Sequence, residues 1–224
     1  MPYYIDLNKI SIDQYKKKLK RTNFLPSWKI LEDNIEEKMN VIKKQKIKNV
    51  EELKQALKTK INVTEFSKQS GLPEDYLTVL RRVINGYHPK PNRIKDFPNL
   101  SEQVVMKLEK IGIKNTLKLF DKITTPQNRK ILSKQTGIDE NEILKLSQLT
   151  DLSRIKWVNH TFANALFLSG FDTAEKVANA DPQELFEKVK KINEEKKLFP
   201  AHIGIKDMKR VVESARRLSL DVTY

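Results

Sequence analysis

A stretch of seven residues occurs twice in this chain, and this recurrence constrains the fold more than any other feature of the sequence. Residues 66–72 read FSKQSGL, and 66 positions later residues 132–138 read LSKQTGI. The match extends without a gap over 47–80 and 113–146, where twelve of 34 positions are identical. A match of this length indicates an internal duplication, in which one structural unit is written twice.

A second internal similarity, at an offset of 58, relates residues 97–120 to residues 155–178 and aligns Gly112 with Gly170. The apolar residues before Gly112, with Ile111 among them, recur at helical spacing, so we expect them to face a core. Glycine is well suited to end such a helix in the left-handed conformation. The pattern therefore predicts a helix, a tight glycine turn and a second helix in each unit.

Side chains that commonly cap helices stand where each second helix should begin. The expected caps are Asn49, Asn115 and Thr173. Glu52 follows Asn49 by three positions, which predicts a capping box. The duplicated SKQ element is interpreted as a helix end closed by Gly71 and Gly137, and not as a functional signature.

Two of these stretches resemble the second half of a helix-hairpin-helix unit, GIKNTLKLF at 112–120 and GFDTAEKVA at 170–178. Over residues 90–218, and with more differences over 25–90, the chain is similar to an uncharacterised family of tandem helix-hairpin-helix-like domains, known as a domain of unknown function. The resemblance implies an all-α fold of tandem helix-hairpin-helix-like repeats. It also implies DNA binding without sequence preference, which many members of the wider superfamily achieve through a hairpin of alternating apolar residues and glycines.

The hairpin glycines of that pattern are replaced in this chain. Asn99 and Ser101 fill the two positions in one unit, and Trp157 and Asn159 fill them in the other. Asn and Ser tolerate such a turn and can cap a helix, but they do not allow the close approach of phosphate to backbone N–H groups that glycine allows. We therefore expect the fold to survive the change, with His160 beside the second turn as the one histidine to consider for a functional role.

The repeats predict four segments. Residues 1–24 should form an N-terminal strand and a basic helix, 25–90 a degenerate first helical unit, 91–150 a second helix-hairpin-helix-like unit, and 151–224 a third such unit with C-terminal helices. Terminal repeats of stacked arrays are often irregular, which accounts for the degenerate first unit.

A formal net charge of +14 indicates a partner that is a polyanion, with nucleic acid as the first candidate. The excess consists mainly of lysine, with 34 Lys against 9 Arg, so a compositional bias of the source genome is an equally good explanation. The side chains predicted to contact nucleic acid are Lys16, Lys17, Lys18, Lys20, Arg21, Arg81, Arg82, Lys90, Arg93, Lys95, Arg154, Lys156, Lys206, Lys209 and Arg210.

Residues that carry catalysis are not arranged in any recognisable pattern. The three histidines, His88, His160 and His202, stand apart, and the chain has no cysteine and no glycine-rich phosphate loop. We predict no enzyme, no catalytic residue, no metal and no cofactor. We also expect a cytoplasmic protein without a membrane segment, because no apolar run reaches the length of a bilayer and the N-terminus does not read as a signal peptide.

These observations favour a non-enzymatic helical-repeat protein that binds nucleic acid through sequence-independent phosphate contacts. The alternative is a protein–protein interaction adaptor without DNA binding, in which Trp157 anchors an interface.

Overall fold

The computed structural model describes residues 3–22, 24, 26–200 and 202–224, and these residues form an all-helical protein without a strand. The chain divides into two compact units. The N-terminal unit is Asp6–His88, and the C-terminal unit is Pro89–Tyr224 together with residues 3–5. Residues 1, 2, 23, 25 and 201 of the predicted segments lie outside the described residues.

The described residues of the N-terminal unit form two 3₁₀ helices and five α-helices. The 3₁₀ helices are Leu7–Lys9 and Pro26–Leu31, and the α-helices are α1 (Ile12–Lys20), α2 (Ile35–Lys44), α3 (Val50–Ala56), α4 (Lys60–Ser70) and α5 (Glu74–Asn85). The strand predicted within residues 1–24 is wrong for the part that the structure describes, because Leu7–Lys9 coils into a helical turn that Asp6 caps through the N–H of Asn8.

The C-terminal unit contains one 3₁₀ helix, Ile94–Asp96, and eight α-helices. These are α6 (Glu102–Lys110), α7 (Thr116–Phe120), α8 (Pro126–Thr136), α9 (Glu140–Leu152), α10 (His160–Leu168), α11 (Ala174–Asn179), α12 (Pro182–Lys196) and α13 (Ile205–Ala215).

Helix α9 contributes to both hydrophobic clusters of the C-terminal unit. Its Ile143 and Leu146 pack in a cluster with residues of α6, α7 and α8, and its Leu149 and Leu152 pack in a cluster with residues of α10 to α13. Ile111 was expected in the core but is exposed, because it lies in the turn after α6 and not on the helix.

The helix starts follow the sequence. Asn49 accepts the N–H of Glu52 at 2.9 Å, Asn115 that of Lys118 at 3.0 Å and Thr173 that of Lys176 at 3.1 Å, so the three predicted caps are confirmed. The predicted capping box is wrong, since the Glu52 carboxylate accepts the N–H of Lys48 at 2.7 Å and not that of Asn49.

The two IKN stretches are held in the same way. Ile12 donates to the carbonyl of Lys48 at 3.1 Å, and Ile94 donates to that of Lys114 at 3.1 Å. Each contact belongs to an isolated antiparallel bridge that joins the cap at Asn49 or Asn115 to an earlier segment of the chain. The start of α3 and the start of α7 therefore share one local architecture.

The two SKQ stretches also have one local structure, at the ends of α4 and α8. Ser67 donates to the carbonyl of Leu72 at 2.6 Å, and Ser133 donates to that of Ile138 at 2.6 Å. Gly71 then takes a φ of 74° and ends α4 in the left-handed conformation. The Lys and Gln of both copies are exposed, so the shared hydroxyls account for the repeated motif as a helix end.

Within the described residues, the longest and most apolar helices fall short of what crossing a bilayer requires.

Candidate nucleic-acid interface

Part of the basic run of α1 is paired with a carboxylate of α2. The Lys16 ammonium lies 2.5 Å from a Glu36 oxygen, and Lys20 pairs with the other oxygen of that carboxylate. Hydrogen bonds from Lys16 and then Lys20 lower the pKa of Glu36 to about 2. Lys18 lies over the Tyr87 ring at 3.9 Å. Lys17 and Arg21 remain exposed, so much of the predicted site is occupied by intramolecular contacts.

The predicted cations between positions 81 and 95 have different environments in their two units. In the N-terminal unit Arg81 is half-buried and Arg82 exposed. In the C-terminal unit Lys90 and Lys95 are exposed, and Arg93 pairs with Asp96 at 3.0 Å.

Arg154 is a core residue and not part of the surface expected to contact phosphate. It is 2% exposed, and it pairs with Asp151 at 2.7 Å. The guanidinium also donates to the carbonyls of Tyr3 at 3.0 Å and Ser219 at 2.9 Å. Sequence reasoning placed Arg154 at the surface because it read a basic residue before a turn. Two of its partners, Tyr3 and Ser219, lie far away along the chain.

Asp151 completes this buried arrangement. One of its oxygens accepts the N–H of Ala174 at 2.9 Å, at the start of α11, and the hydroxyl of Tyr224 at 3.2 Å. Burial, followed by the charge of Asp151, raises the pKa of Tyr224. The Asp151–Arg154 pair therefore joins α9, α11, the N-terminal residues and the C-terminal segment of this unit.

The predicted cations of α13 lie in a region without net charge. Lys206 and Lys209 are exposed, and Arg210 lies 3.5 Å from an Asp207 oxygen. Residues 139–224 carry fourteen basic and fourteen acidic side chains. A polyanion approaching this region meets both signs of charge equally.

The positive charge of the C-terminal unit is concentrated on and around α6, α7 and α8, where sequence reasoning did not place it. Residues 89–138 carry eleven basic and four acidic side chains. Between positions 107 and 134, seven exposed lysines, called here the lysine set, form no ion pair with any described residue. They are Lys107, Lys110, Lys114, Lys118, Lys122, Lys130 and Lys134.

The lysine set spans elements that contact one another. Lys107 of α6 donates to the carbonyl of Gly137 at 2.6 Å, at the end of α8. Lys110 and Lys114 flank the turn into α7, and Lys118 follows one helical turn later. Exposed aliphatic side chains accompany them, with Met106 62% and Ile131 53% exposed. The result is a mainly basic surface with apolar residues between the charges.

The two turns predicted as hairpins place their residues alike. Asn99 and Trp157 both take left-handed conformations, with φ of 60° and 72°. Ser101 and Asn159 are the caps of α6 and α10, accepting the N–H of Val104 at 3.3 Å and of Phe162 at 2.9 Å. The expectation that these residues would fit the turn and cap the helix is confirmed.

The second turn exposes an aromatic ring beside a cation. Trp157 is 51% exposed, and the Lys156 ammonium lies 4.6 Å from its ring centroid. Burial, and then the charge of Arg217, lowers the pKa of Lys156 to about 8. The His160 ring packs edge-on against Phe97 at 6.3 Å, which is a packing contact.

A family model described as a domain of unknown function, DUF4332, matches residues 98–218, which is more than half of the chain. The chain belongs to the DUF4332 family. No curated protein and no solved structure matches the sequence. The DUF4332 region begins at the turn before α6 and ends just after α13. It therefore contains the lysine set, Trp157 and the buried Asp151–Arg154 pair, while the basic helix α1 lies outside it.

Metal-binding side chains are not gathered in the part of the DUF4332 protein that the structure describes. No group of three His, Cys, Asp or Glu residues there is close enough to hold an ion.

Proposed function

We propose that this DUF4332 protein is a non-enzymatic protein of tandem helix-hairpin-helix-like repeats that binds nucleic acid through sequence-independent phosphate contacts. The repeat assignment is supported by the shared caps, bridges and glycine ends of α3–α5 and α7–α9. It is also supported by the matching left-handed residues at Asn99 and Trp157.

The observation that carries the binding proposal is the lysine set. A surface ammonium that already pairs with a carboxylate contributes little binding free energy on contact with a phosphate, because it exchanges one anionic partner for another. The seven lysines have no such partner among the described residues, and only four carboxylates occur in residues 89–138. Phosphate contact would release condensed counterions from the nucleic acid, and this release drives the binding.

The size of the effect follows from the number of lysines. If all seven contact phosphates of a duplex, the logarithm of the affinity should fall with the logarithm of salt concentration with a slope of about −6. Between about 50 and 200 mM salt, the affinity should then decrease by roughly 10³- to 10⁴-fold.

Fluorescence anisotropy with a labelled duplex of about 20 base pairs tests this proposal. The triple variant Lys110→Gln, Lys114→Gln, Lys118→Gln should lower the magnitude of the salt slope by about 3. The control replaces Lys190, Lys191 and Lys196 of α12 by Gln, which removes the same charge from the neutral region and should leave the slope unchanged. Absent binding at low salt, or equal effects of the two triples, would count against the proposal.

A protein–protein adaptor is the second candidate, and the exposed aliphatic residues of the lysine set region favour it. Met106 and Ile131 gain nothing from phosphate, whereas an acidic protein segment with apolar side chains would cover both them and the lysines. A pull-down at moderate salt after nuclease treatment separates the candidates. The adaptor is supported by a protein partner that survives nuclease and is lost in the variant Met106→Gln, Ile131→Gln.

A further inference from the structure

Trp157 has a backbone conformation that is unfavourable for a tryptophan residue. Its φ of 72° lies in the left-handed region, which a bulky aromatic residue adopts only at a cost in free energy. Asn99 takes the same conformation at the other turn, and asparagine tolerates it far better. About half of the Trp157 surface meets solvent, so the ring is available to a ligand.

The ring is held in place by its neighbours. The backbone N–H of Lys156 donates to the Ser214 hydroxyl at 3.0 Å, which fixes the turn on α13. The Lys156 side chain returns over the indole ring, with its ammonium 4.6 Å from the centroid. Arg217 is exposed, and its backbone N–H donates to the carbonyl of the same Ser214 at 3.2 Å, so a second cation lies on the segment that holds the turn.

The sequence around Trp157 holds few exposed apolar side chains. Between Ile131 and Leu220 in the chain, Trp157 is the sole exposed large apolar side chain of the described residues. The first turn of α10 carries no acidic residue that would repel phosphate. An aromatic ring can stack on a nucleotide base, and neighbouring cations can contact the phosphate attached to it.

We propose that Trp157 stacks on an unpaired base of nucleic acid, while Lys156 and Arg217 contact the adjoining phosphate. This inference rests on the proposed nucleic-acid binding and narrows its ligand to a single strand or an unpaired end. Stacking on a π-face does not depend on base identity, so the preference is for unpaired over paired bases and not for a sequence. Loss of one stacked base should weaken single-strand binding by about 5- to 150-fold.

The experiment uses the full chain with Trp28→Phe, which leaves Trp157 as the sole tryptophan. Three probes are titrated at low salt: an oligothymidylate of about ten nucleotides, a blunt duplex of equal length and inorganic polyphosphate. Stacking should quench Trp157 fluorescence with the oligothymidylate. Polyphosphate, which has no bases, should bind without quenching.

The matched variant is Trp157→Asn, which installs the residue found at the equivalent position 99. It should lose 5- to 150-fold in affinity for oligothymidylate and keep its affinity for polyphosphate and its salt slope. Trp157→Phe should retain most of the single-strand affinity. Trp157→Asn should melt at the same temperature as the parent or higher, because Asn relieves the backbone strain, so lost binding would not reflect unfolding.

The inference is overturned if oligothymidylate binds without quenching, or if Trp157→Asn binds it as tightly as the parent. In either case binding of polyphosphate would leave the proposed function standing. Failure of all three probes to bind at low salt overturns both proposals. Trp157 would instead belong to a protein interface under two joint outcomes. A protein partner would survive nuclease treatment but be lost in Trp157→Asn, and oligothymidylate would not quench Trp157 fluorescence.

Discussion

Replacing Arg154 by methionine should destabilise the C-terminal unit more than any surface substitution. Methionine fills much of the arginine volume, so the main effect is the loss of charge and hydrogen bonds rather than a cavity. Asp151, 4% exposed, would keep its charge without a cationic partner. Breaking a buried pair in this way typically costs about 3–5 kcal/mol.

Two further terms set the estimate within that range. The carbonyls of Tyr3 and Ser219 lose a donor, which raises the cost. Asp151 retains the N–H of Ala174 and the hydroxyl of Tyr224, which lowers it. We therefore expect a loss of about 4 kcal/mol in the free energy of unfolding.

Guanidinium unfolding followed by circular dichroism at 222 nm measures this loss. With a denaturant slope of about 4 kcal/mol per M, the midpoint should fall by about 1 M. The double variant Asp151→Asn, Arg154→Met should be less destabilised than the sum of the single changes, because removing the carboxylate removes the stranded charge.

The control is Arg93→Met, which removes an arginine paired with an aspartate at the same sequence separation but 63% exposed. A surface pair of this kind contributes about 0–1 kcal/mol, so the midpoint should hardly move. The reasoning fails if Arg154→Met costs less than about 1 kcal/mol, or if the double variant shows no coupling.

Two further substitutions test other contacts. Gly71→Ala should lower the free energy of unfolding by about 1–2 kcal/mol, as measured by thermal melting. The added Cβ meets nothing within 4 Å, so the φ of 74° is the only feature that opposes the change. An equal loss on placing alanine at an exposed position inside a helix would contradict this explanation. The pKa of Glu36 is about 2 in the folded protein, against an ordinary value of 4.5. Its ion pairs therefore stabilise the fold above about pH 4.5, and this stabilisation is lost as the pH falls towards 2. Glu36→Gln should remove this part of the pH dependence of stability. The same variant leaves Lys20 without its carboxylate partner, whereas Lys16 keeps Asp13 at 3.7 Å. Duplex affinity should therefore rise and the salt slope should steepen by about 1, and unchanged binding would show that α1 does not contact the nucleic acid.

The local architecture could be predicted from the sequence because its information lies within a few residues. A cap such as Asn115 bonds an N–H three positions later, and a helix end such as Gly137 depends on its own φ and on a hydroxyl nearby. Each of these features is a short pattern, and the duplication displays it twice. The prediction of a capping box at Glu52 was wrong because its carboxylate accepts the N–H of Lys48, one residue earlier than the cap.

The electrostatic surface could not be predicted in the same way, because it depends on which charges the fold brings together. Lys16 finds Glu36 twenty positions away, and Arg154 finds Ser219 and Tyr3 at separations of 65 and 151. A basic run in the sequence therefore overstates the charge that α1 presents.

The lysine set was missed for the opposite reason. Its members are spaced along three helices and their turns, so no basic run marks them. A segment-by-segment balance of charge would have found the excess in residues 89–138, where eleven basic side chains face four acidic ones.

Residues 3–5 belong to the same compact unit as residues 89–224, so the N-terminal unit, Asp6–His88, is an insertion in the sequence of the C-terminal unit. During synthesis on the ribosome, Asp6–His88 can complete its packing while Tyr3 still lacks its partners Thr116 and Arg154. Early folding of the inserted unit would draw residues 5 and 89 within reach of each other and shorten the effective loop that Tyr3 must close. The contacts of Tyr3 with Thr116 and Arg154 are therefore made late, after most of the C-terminal unit has been synthesised.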